Sequence, residues 1–219
     1  MSPPQARPNF VVERVQPVDL DQIVELIHDS FSQEESALIG CPDPSYYPNY
    51  RERILEVMES DPCDIWIQVK DVEKGKIAAV SNWRVFMNGK PDDRGDEPVA
   101  YYTGEDREDS ERSARFMNEN RRKVMTGPFV YLQLCNTSPD YRHMGAGSLM
   151  MQWGVDLADA LFLPGWIEAS VEGTGLYKAF GFYLQGGRAP WVAHCAHEER
   201  FQVQRDRWGR VEEEEGVIR

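Results

Sequence analysis

The run from Arg142 to Ser148 has the residue types and spacing to bind an anion. It reads Arg-His-Met-Gly-Ala-Gly-Ser and joins an apolar stretch to an amphipathic one. The first backbone N–H groups of a helix have no partner within that helix, and the helix start carries about half a positive charge. Glycines at 145 and 147 remove the side chains that would keep a phosphate away. With the charge of Arg142 beside them, these amides can wrap a diphosphate.

The same run also has a simpler interpretation, because glycines occur in ordinary turns that need tight packing. It does not match the dinucleotide fingerprint GxGxxG, since Met150 stands where the third glycine would be. At this point the sequence leaves two alternatives, a phosphate-binding helix start and a packing turn.

A second motif downstream favours the first alternative. Glu168-Ala169-Ser170 ends another apolar stretch, and the segment LYKAFGF follows at Leu176–Phe182. Together with Pro139-Asp140-Tyr141-Arg142 and the GAG turn at 145–147, these residues resemble the GNAT superfamily of N-acetyltransferases. They resemble more narrowly its fungal branch, with the pattern T-x-P-x-Y-x-x-x-G-A-G. The resemblance covers Leu132–Phe182.

The resemblance implies a fold as well as an activity. The expected fold is the acyl-CoA N-acyltransferase fold, an α/β class with mixed α+β character. Its twisted sheet is mixed but mostly antiparallel, is flanked by helices, and has fourth and fifth strands that splay apart. Here the fourth strand would be residues 129–135 and the fifth 166–171, with the pantetheine arm of acetyl-CoA in the gap between them.

The resemblance also assigns residues to acetyl-CoA. The amides from Arg142 to Ser148 would bind the diphosphate, and residues 135–137 would contact pantetheine. Ser170 stands where many family members have asparagine. The expected cofactor-binding residues are Cys135, Asn136, Thr137, Arg142, His143, Met144, Gly145, Ala146, Gly147, Ser148, Ser170 and Tyr177. No metal is expected.

Acid and base roles follow from the same resemblance. Family members transfer acetyl directly to an amine, and Tyr177 matches the acid that protonates the leaving thiolate. Taken alone, Tyr177 has the alternative interpretation of an aromatic packed at a sheet edge. A backbone N–H near Cys135 or Asn136 is the expected donor to the thioester oxygen. For the base, Glu168 is the candidate; the alternatives are that Glu168 is a surface or structural carboxylate and that a water chain removes the proton.

Two functions remain open. One is an acetyl-CoA-dependent N-acetyltransferase that acetylates a primary amine in a ternary complex, with a small amine or polyamine favoured over a protein lysine or N-terminus. The other is a catalytically inactive acyl-CoA-binding module with a regulatory or protein-interaction role. Both bind the coenzyme, so turnover separates them.

Composition narrows the class of partner and the compartment. The 219 residues carry a net charge of −13, which repels nucleic acid and attracts cations, although it would also serve solubility alone. The four cysteines form no CxxC pair, and neither a secretory signal nor an apolar run of about 18 residues occurs. We expect a cytoplasmic monomer or homodimer with a cationic amine acceptor, and no nucleic-acid or membrane partner.

These motifs require elements that hold them in place. The sequence predicts strands over 10–15, 65–69, 77–86, 129–135, 166–171, 182–184 and 201–207, and helices over 18–31, 51–59, 106–124, 145–161 and 174–180. Asp19 is the expected N-cap of the first helix, whose buried face would contain Leu20, Val24 and Ile27, with Ile23 beside them. Leu149, Trp153, Leu157 and Leu161 recur every four positions and predict the buried face of the helix after the GAG turn.

One domain is expected over residues 9–211, between a flexible tail at 1–8 and an acidic tail at 212–219. A densely charged insertion occupies about 88–127 and has too few apolar side chains for a core of its own. Its helix is expected to be exposed to solvent, with Phe116 and Val124 as its apolar contacts.

Overall fold

The computed structural model describes residues 8–32, 36, 39–88, 103–170, 172–185 and 191–195. The chain up to residue 7, the strand predicted over 201–207 and the acidic tail lie outside the described residues.

The described residues form a seven-stranded sheet with the strand order β1-β2-β3-β4-β5-β7-β6. The strands are β1 (Phe10–Arg14), β2 (Asp64–Asp71), β3 (Lys76–Phe86), β4 (Phe129–Thr137), β5 (Gly165–Ala169), β6 (Tyr183–Gln185) and β7 (Trp191–Cys195). β4 and β5 are parallel, whereas the other neighbouring pairs are antiparallel. The predicted mixed, mostly antiparallel sheet is confirmed.

Helices and short 3-10 turns connect the strands. The helices are α1 (Leu20–Ser30), α2 (Tyr47–Ser60), α3 (Gly104–Val124), α4 (Ala146–Ala160) and α5 (Thr174–Ala179). Turns at Pro17–Asp19, Pro44–Tyr46 and Pro139–Tyr141 precede α1, α2 and the loop before α4. The helix predicted from residue 51 begins four residues earlier, because Pro48 lies in its first turn, where a missing N–H costs nothing.

α1 and α2 cover one face of the sheet. Leu20, Ile23, Val24 and Ile27 are buried against Trp66, Val80 and Leu134 of the strands, which confirms the predicted face of α1. Asp19 directly precedes α1, as predicted, but its carboxylate accepts hydrogen bonds from the backbone N–H of Gln16 and from the amide of Gln68. The N-cap bond expected of Asp19 is absent.

α4 covers the opposite face, and its buried side differs from the prediction. The buried residues are Ala146, Met150, Met151, Gly154, Val155 and Ala158, whereas Leu149 and Leu161 are 36% and 37% exposed. Trp153 and Leu157 are half-buried against the core, so the predicted face is wrong at Leu149 and Leu161. The indole of Trp83 projects from β3 against Gly154, so the side of α4 that faces the sheet must have small residues at that point.

Gly154→Ala tests this close approach. A Cβ at position 154 would lie closer than 3.0 Å to three indole atoms of Trp83, a side chain that is 1% exposed. We expect the free energy of unfolding to fall by about 1–3 kcal/mol, the usual cost of overpacking, despite the better helix propensity of alanine. Urea denaturation measures the change. Gly175→Ala is the matched control, because a Cβ at that helical glycine meets nothing within 4 Å. Equal urea midpoints for the two variants would contradict the prediction.

The buried residues of α3, among those whose side chains the structure describes, are all polar: Ser110, Asn118 and Arg121. Phe116 and Val124, the expected apolar contacts, are 48% and 38% exposed, while Asn118 and Arg121 are buried. The expected contacts of this helix are therefore wrong. A buried arginine needs a partner in the sheet, and the partner lies at the site described next.

Candidate functional site

β4 and β5 separate partway along their length. Their ladder consists of Val130↔Gly165, Tyr131↔Trp166 and Leu132↔Ile167, but β4 continues to Thr137 and β5 to Ala169. Beyond Leu132, the β5-facing edge of β4 therefore has main-chain groups without a ladder partner in the described part of the chain. This is the predicted splay between the fourth and fifth strands.

A bulge lies in β4 where the gap begins. The neighbours Asn82 and Trp83 on β3 pair with Leu134 and Leu132, so β4 has one extra residue, Gln133, between them. A bulge bends a strand and increases its twist. After the bulge, Leu134 joins the apolar cluster under α1, and Cys135 contacts the clusters under α4.

The predicted diphosphate loop has two residues in the left-handed region, His143 with φ 61° and Gly145 with φ 98°. Successive N–H groups in such a conformation form a concavity that binds anions. The N–H of Leu149 donates to the Gly145 carbonyl at 3.2 Å, the first turn of α4. The amides of residues 146–148 come before it and have no acceptor within the helix. No side chain caps Gly145, and the first turn contains no acidic residue.

The two glycines of the loop serve different purposes. At Gly145, the φ of 98° is one that side chains with a Cβ rarely adopt, and a Cβ there would point into open space. At Gly147, a Cβ would lie 3.2 Å from Cδ2 of Leu176 and 3.6 Å from Oγ1 of Thr137. Gly147 therefore brings the start of α4 close to both α5 and the end of β4, so the two sequence motifs meet in space.

Arg142 connects the loop to α1. Its Nη2 donates to the carbonyl oxygen of Ser30 at 2.9 Å, at the C-terminus of α1, where a cation interacts favourably with the helix dipole. Nδ2 of Asn136 donates to Oγ of the same serine at 2.8 Å. Ser30 thus links the loop and the end of β4. The loop side chains of His143, Met144 and Ser148 are exposed, and Ala146 is buried.

Tyr177 lies on the α4 side of the gap. It is 8% exposed and belongs to the same apolar cluster as Leu132 and Ile167, the last pair before the strands separate. Its hydroxyl hydrogen-bonds to the thiol of Cys135. Burial raises the pKa of Cys135 to about 12, although the bond from Tyr177 lowers it in part. Cys135 is therefore a neutral thiol near pH 7 and a poor nucleophile.

Ser170 organises the turn into α5. Its Oγ accepts a hydrogen bond from the N–H of Gly173 at 3.4 Å, and its carbonyl accepts one from the hydroxyl of Thr174 at 3.1 Å. The side chain is exposed at the end of β5. The serine thus lies beside the gap and supports the helix that carries Tyr177.

Glu168 is held in a buried ion pair. Its Oε1 accepts from Nη1 of Arg121 at 2.9 Å and from the indole N–H of Trp166 at 2.6 Å, and Oε2 lies 3.1 Å from the same Nη1. The Glu168 and Arg121 side chains are only 10% and 8% exposed. Glu168 follows the last β4–β5 pair, on the face opposite α4.

Further polar groups surround this pair. The Arg121 guanidinium lies 4.2 Å from the ring centre of Tyr131 and hydrogen-bonds to Asn118. Burial, together with the charge of Glu168, raises the pKa of Tyr131, so its hydroxyl stays protonated. Sequence reasoning did not single out Arg121, because it lies in a helix whose many charges resemble a solvated surface.

Comparisons with known proteins identify the fold. No protein-family model matches the sequence, and no curated protein matches it either. Solved structures do match: arylalkylamine N-acetyltransferase 2 from Aedes aegypti is 13% identical, with 86% of this chain and 99% of that chain covered and a TM-score of 0.62. Mosquito arylalkylamine N-acetyltransferase like 5b is 15% identical, with 85% and 98% covered and a TM-score of 0.62.

A third structure was solved with a ligand. PaiA N-acetyltransferase from Thermoplasma acidophilum, in complex with coenzyme A, is 9% identical, with 86% of this chain and 99% of that chain covered and a TM-score of 0.55. The chain therefore has the GNAT acetyltransferase fold, as predicted. Among the described residues, no helix has both the length and the apolar character needed to cross a membrane.

Proposed function

We propose that the protein is an acetyl-CoA-dependent N-acetyltransferase that acetylates a primary amine by direct transfer in a ternary complex. One observation carries the proposal: the uncapped amides at the start of α4 and the hydroxyl of Tyr177 flank the same gap between β4 and β5. A fold alone does not define an activity, whereas this arrangement of groups matches the chemistry of a thioester carrier.

The coenzyme would extend from the loop into the gap. The amides of residues 142–148 would bind the diphosphate, and the free edge of β4 at residues 135–137 would hydrogen-bond to pantetheine. Ser170 and Tyr177 would line the other side. The complex of the PaiA acetyltransferase with coenzyme A supports this ligand.

Direct transfer requires three roles. Main-chain N–H groups of β4 beyond Leu132 would stabilise the thioester oxygen as it gains charge. The Tyr177 hydroxyl would donate its proton to the sulfur as the bond between carbonyl carbon and sulfur breaks. The amine must first lose a proton. Glu168 is a candidate base, but Arg121 and Trp166 already donate to its oxygens, so we favour a water chain for this step.

A small cationic amine or polyamine is the proposed acceptor. The net charge of −13 favours the approach of cations, and two neighbours in fold are arylalkylamine N-acetyltransferases. The experiment measures thiol release from acetyl-CoA with polyamines, arylalkylamines, aminoglycosides and lysine peptides, and coenzyme A binding in parallel. Turnover with a small amine supports the proposal. Binding without turnover favours the inactive acyl-CoA-binding module, and absence of binding contradicts both.

Tyr177→Phe tests the acid. We expect kcat to fall about tenfold with an unchanged dissociation constant for coenzyme A. The fall is smaller than the usual 10²–10⁴ for acid–base assistance, because a thiol with a pKa near 8.5 leaves readily as the thiolate. Steady-state kinetics and calorimetric titration measure the two quantities. Tyr183→Phe, which alters a tyrosine on β6, is the control. An unchanged kcat in Tyr177→Phe would remove this residue from the mechanism.

A further inference from the structure

Tyr141, the residue directly before the loop, is tied to a distant part of the sheet. Its hydroxyl donates to Oδ2 of Asp71 at 3.0 Å, across 70 positions of sequence. Both residues are buried, at 3% and 1% exposure. Tyr141 ends the 3-10 turn at Pro139–Tyr141, and Asp71 ends β2. The bond therefore connects the entrance of the loop to the turn between β2 and β3.

Asp71 is itself held firmly. Its Oδ1 accepts hydrogen bonds from the backbone N–H groups of Glu73 at 3.1 Å and Lys74 at 3.3 Å. The Lys74 ammonium lies 3.8 Å from Oδ2 and 5.2 Å from the ring centre of Tyr141. Burial and the bond to Asp71 raise the pKa of Tyr141 to about 12, so the hydroxyl remains a donor. One carboxylate thus organises the β2–β3 turn and anchors the loop.

The anchored loop has a conformation that needs support. His143 adopts a left-handed φ of 61° although it is not a glycine, and such a conformation persists only where the surroundings fix it. Tyr141 holds one end of the loop. Ala146, 1% exposed and in the same apolar cluster as Tyr141, holds the other. Both ends of the segment whose amides form the concavity are therefore held by buried residues.

We propose that Tyr141 and Asp71 are positioning residues that preorganise the loop for the diphosphate of the coenzyme. The inference rests on the proposed function, because it takes the loop as the diphosphate site. Neither side chain contacts the ligand in this role. If only a fraction of the molecules have the binding conformation, the apparent affinity is the intrinsic affinity multiplied by that fraction. Loss of the hydrogen bond between Tyr141 and Asp71 should weaken coenzyme binding and leave the rate of the chemical step unchanged.

The test uses Tyr141→Phe, which removes one oxygen atom. We expect the dissociation constant of coenzyme A to rise about tenfold and kcat at saturating acetyl-CoA to stay unchanged. Tyr50→Phe is the control, because Tyr50 is also buried but lies in α2. Calorimetric titration of coenzyme A and the temperature of unfolding are measured for each protein. If Tyr141→Phe does not fold, Asp71→Asn replaces it, with weaker coenzyme binding again expected.

The outcomes separate this inference from the proposed function. A tenfold weaker affinity in Tyr141→Phe, with Tyr50→Phe at the wild-type value, supports the positioning role. If Tyr141→Phe and Tyr50→Phe bind coenzyme A with equal affinity, the positioning role is overturned. The proposed function still stands in that case, provided that the wild-type protein binds coenzyme A. A lower kcat in Tyr141→Phe with an unchanged affinity for coenzyme A also overturns the positioning role. A wild-type protein that binds no coenzyme A overturns the proposed function and this inference together.

Discussion

Replacement of Arg142 by glutamate is expected to raise the dissociation constant of coenzyme A about a hundredfold, or about 2.8 kcal/mol. The change removes a positive charge from the loop and places a negative one beside the proposed diphosphate. The guanidinium lies at the C-terminus of α1, bonded to the carbonyl of Ser30. A carboxylate would also meet the negative end of that helix, so a small loss of stability is expected as well.

Two further variants separate the effect of the charge at position 142 on coenzyme affinity from the effect of net charge. Arg115→Glu makes the same change in net charge at an exposed position of α3, and it should leave coenzyme affinity near the wild-type value. Arg142→Gln removes the charge without reversing it, and we expect it to weaken binding about tenfold. The difference between Arg142→Glu and Arg115→Glu should shrink as salt is added, because exposed charges are screened. Equal affinities for these two variants would exclude Arg142–Ser148 as the diphosphate site.

Local patterns in the sequence predicted the elements that carry the site. Short-range signals define a strand followed by a glycine turn and a helix, so β4 and α4 were predicted to within two residues of their observed ends. The buried face of α1 could be predicted from the spacing of its apolar residues, because this signal is also short-range. The splay of β4 and β5 came from the resemblance, because strand pairing joins segments that are distant in sequence.

Predictions failed where a distant side chain determines a local choice. Leu149 and Leu161 fit the predicted stripe of α4 but are exposed, because Trp83 on β3 requires Gly154 on the side of the helix that faces the sheet. In α3, the apolar Phe116 is exposed and Arg121 is buried, because the carboxylate of Glu168 lies beneath it. Helical periodicity describes one helix alone, so it cannot show which side of that helix packs against the neighbouring strands.

The buried pair of Arg121 and Glu168 leads to the largest expected loss of stability. Glu168→Gln keeps the shape of the side chain and removes the carboxylate that the buried Arg121 guanidinium contacts at 2.9 Å. We expect the free energy of unfolding to fall by about 3–5 kcal/mol, as when one partner of a buried ion pair is removed. The double variant Arg121→Met/Glu168→Gln should lose less than the sum of the single variants, because the two side chains are in contact and each single variant removes the same charge pair.

Urea denaturation of the four proteins in this cycle measures the coupling between the two charges. Glu111→Gln is the control, since Glu111 pairs with Arg107 at 2.8 Å on a more exposed part of α3, where such a pair contributes about 0.5 kcal/mol.

The same variants distinguish a structural role of Glu168 in the ion pair from a role as the catalytic base. If Glu168→Gln unfolds at the wild-type urea midpoint but loses turnover, Glu168 acts on the amine and the water chain is wrong. If stability falls and the folded fraction keeps its kcat, this carboxylate fixes α3 to the edge of the gap, and the charged helix is an integral part of the domain.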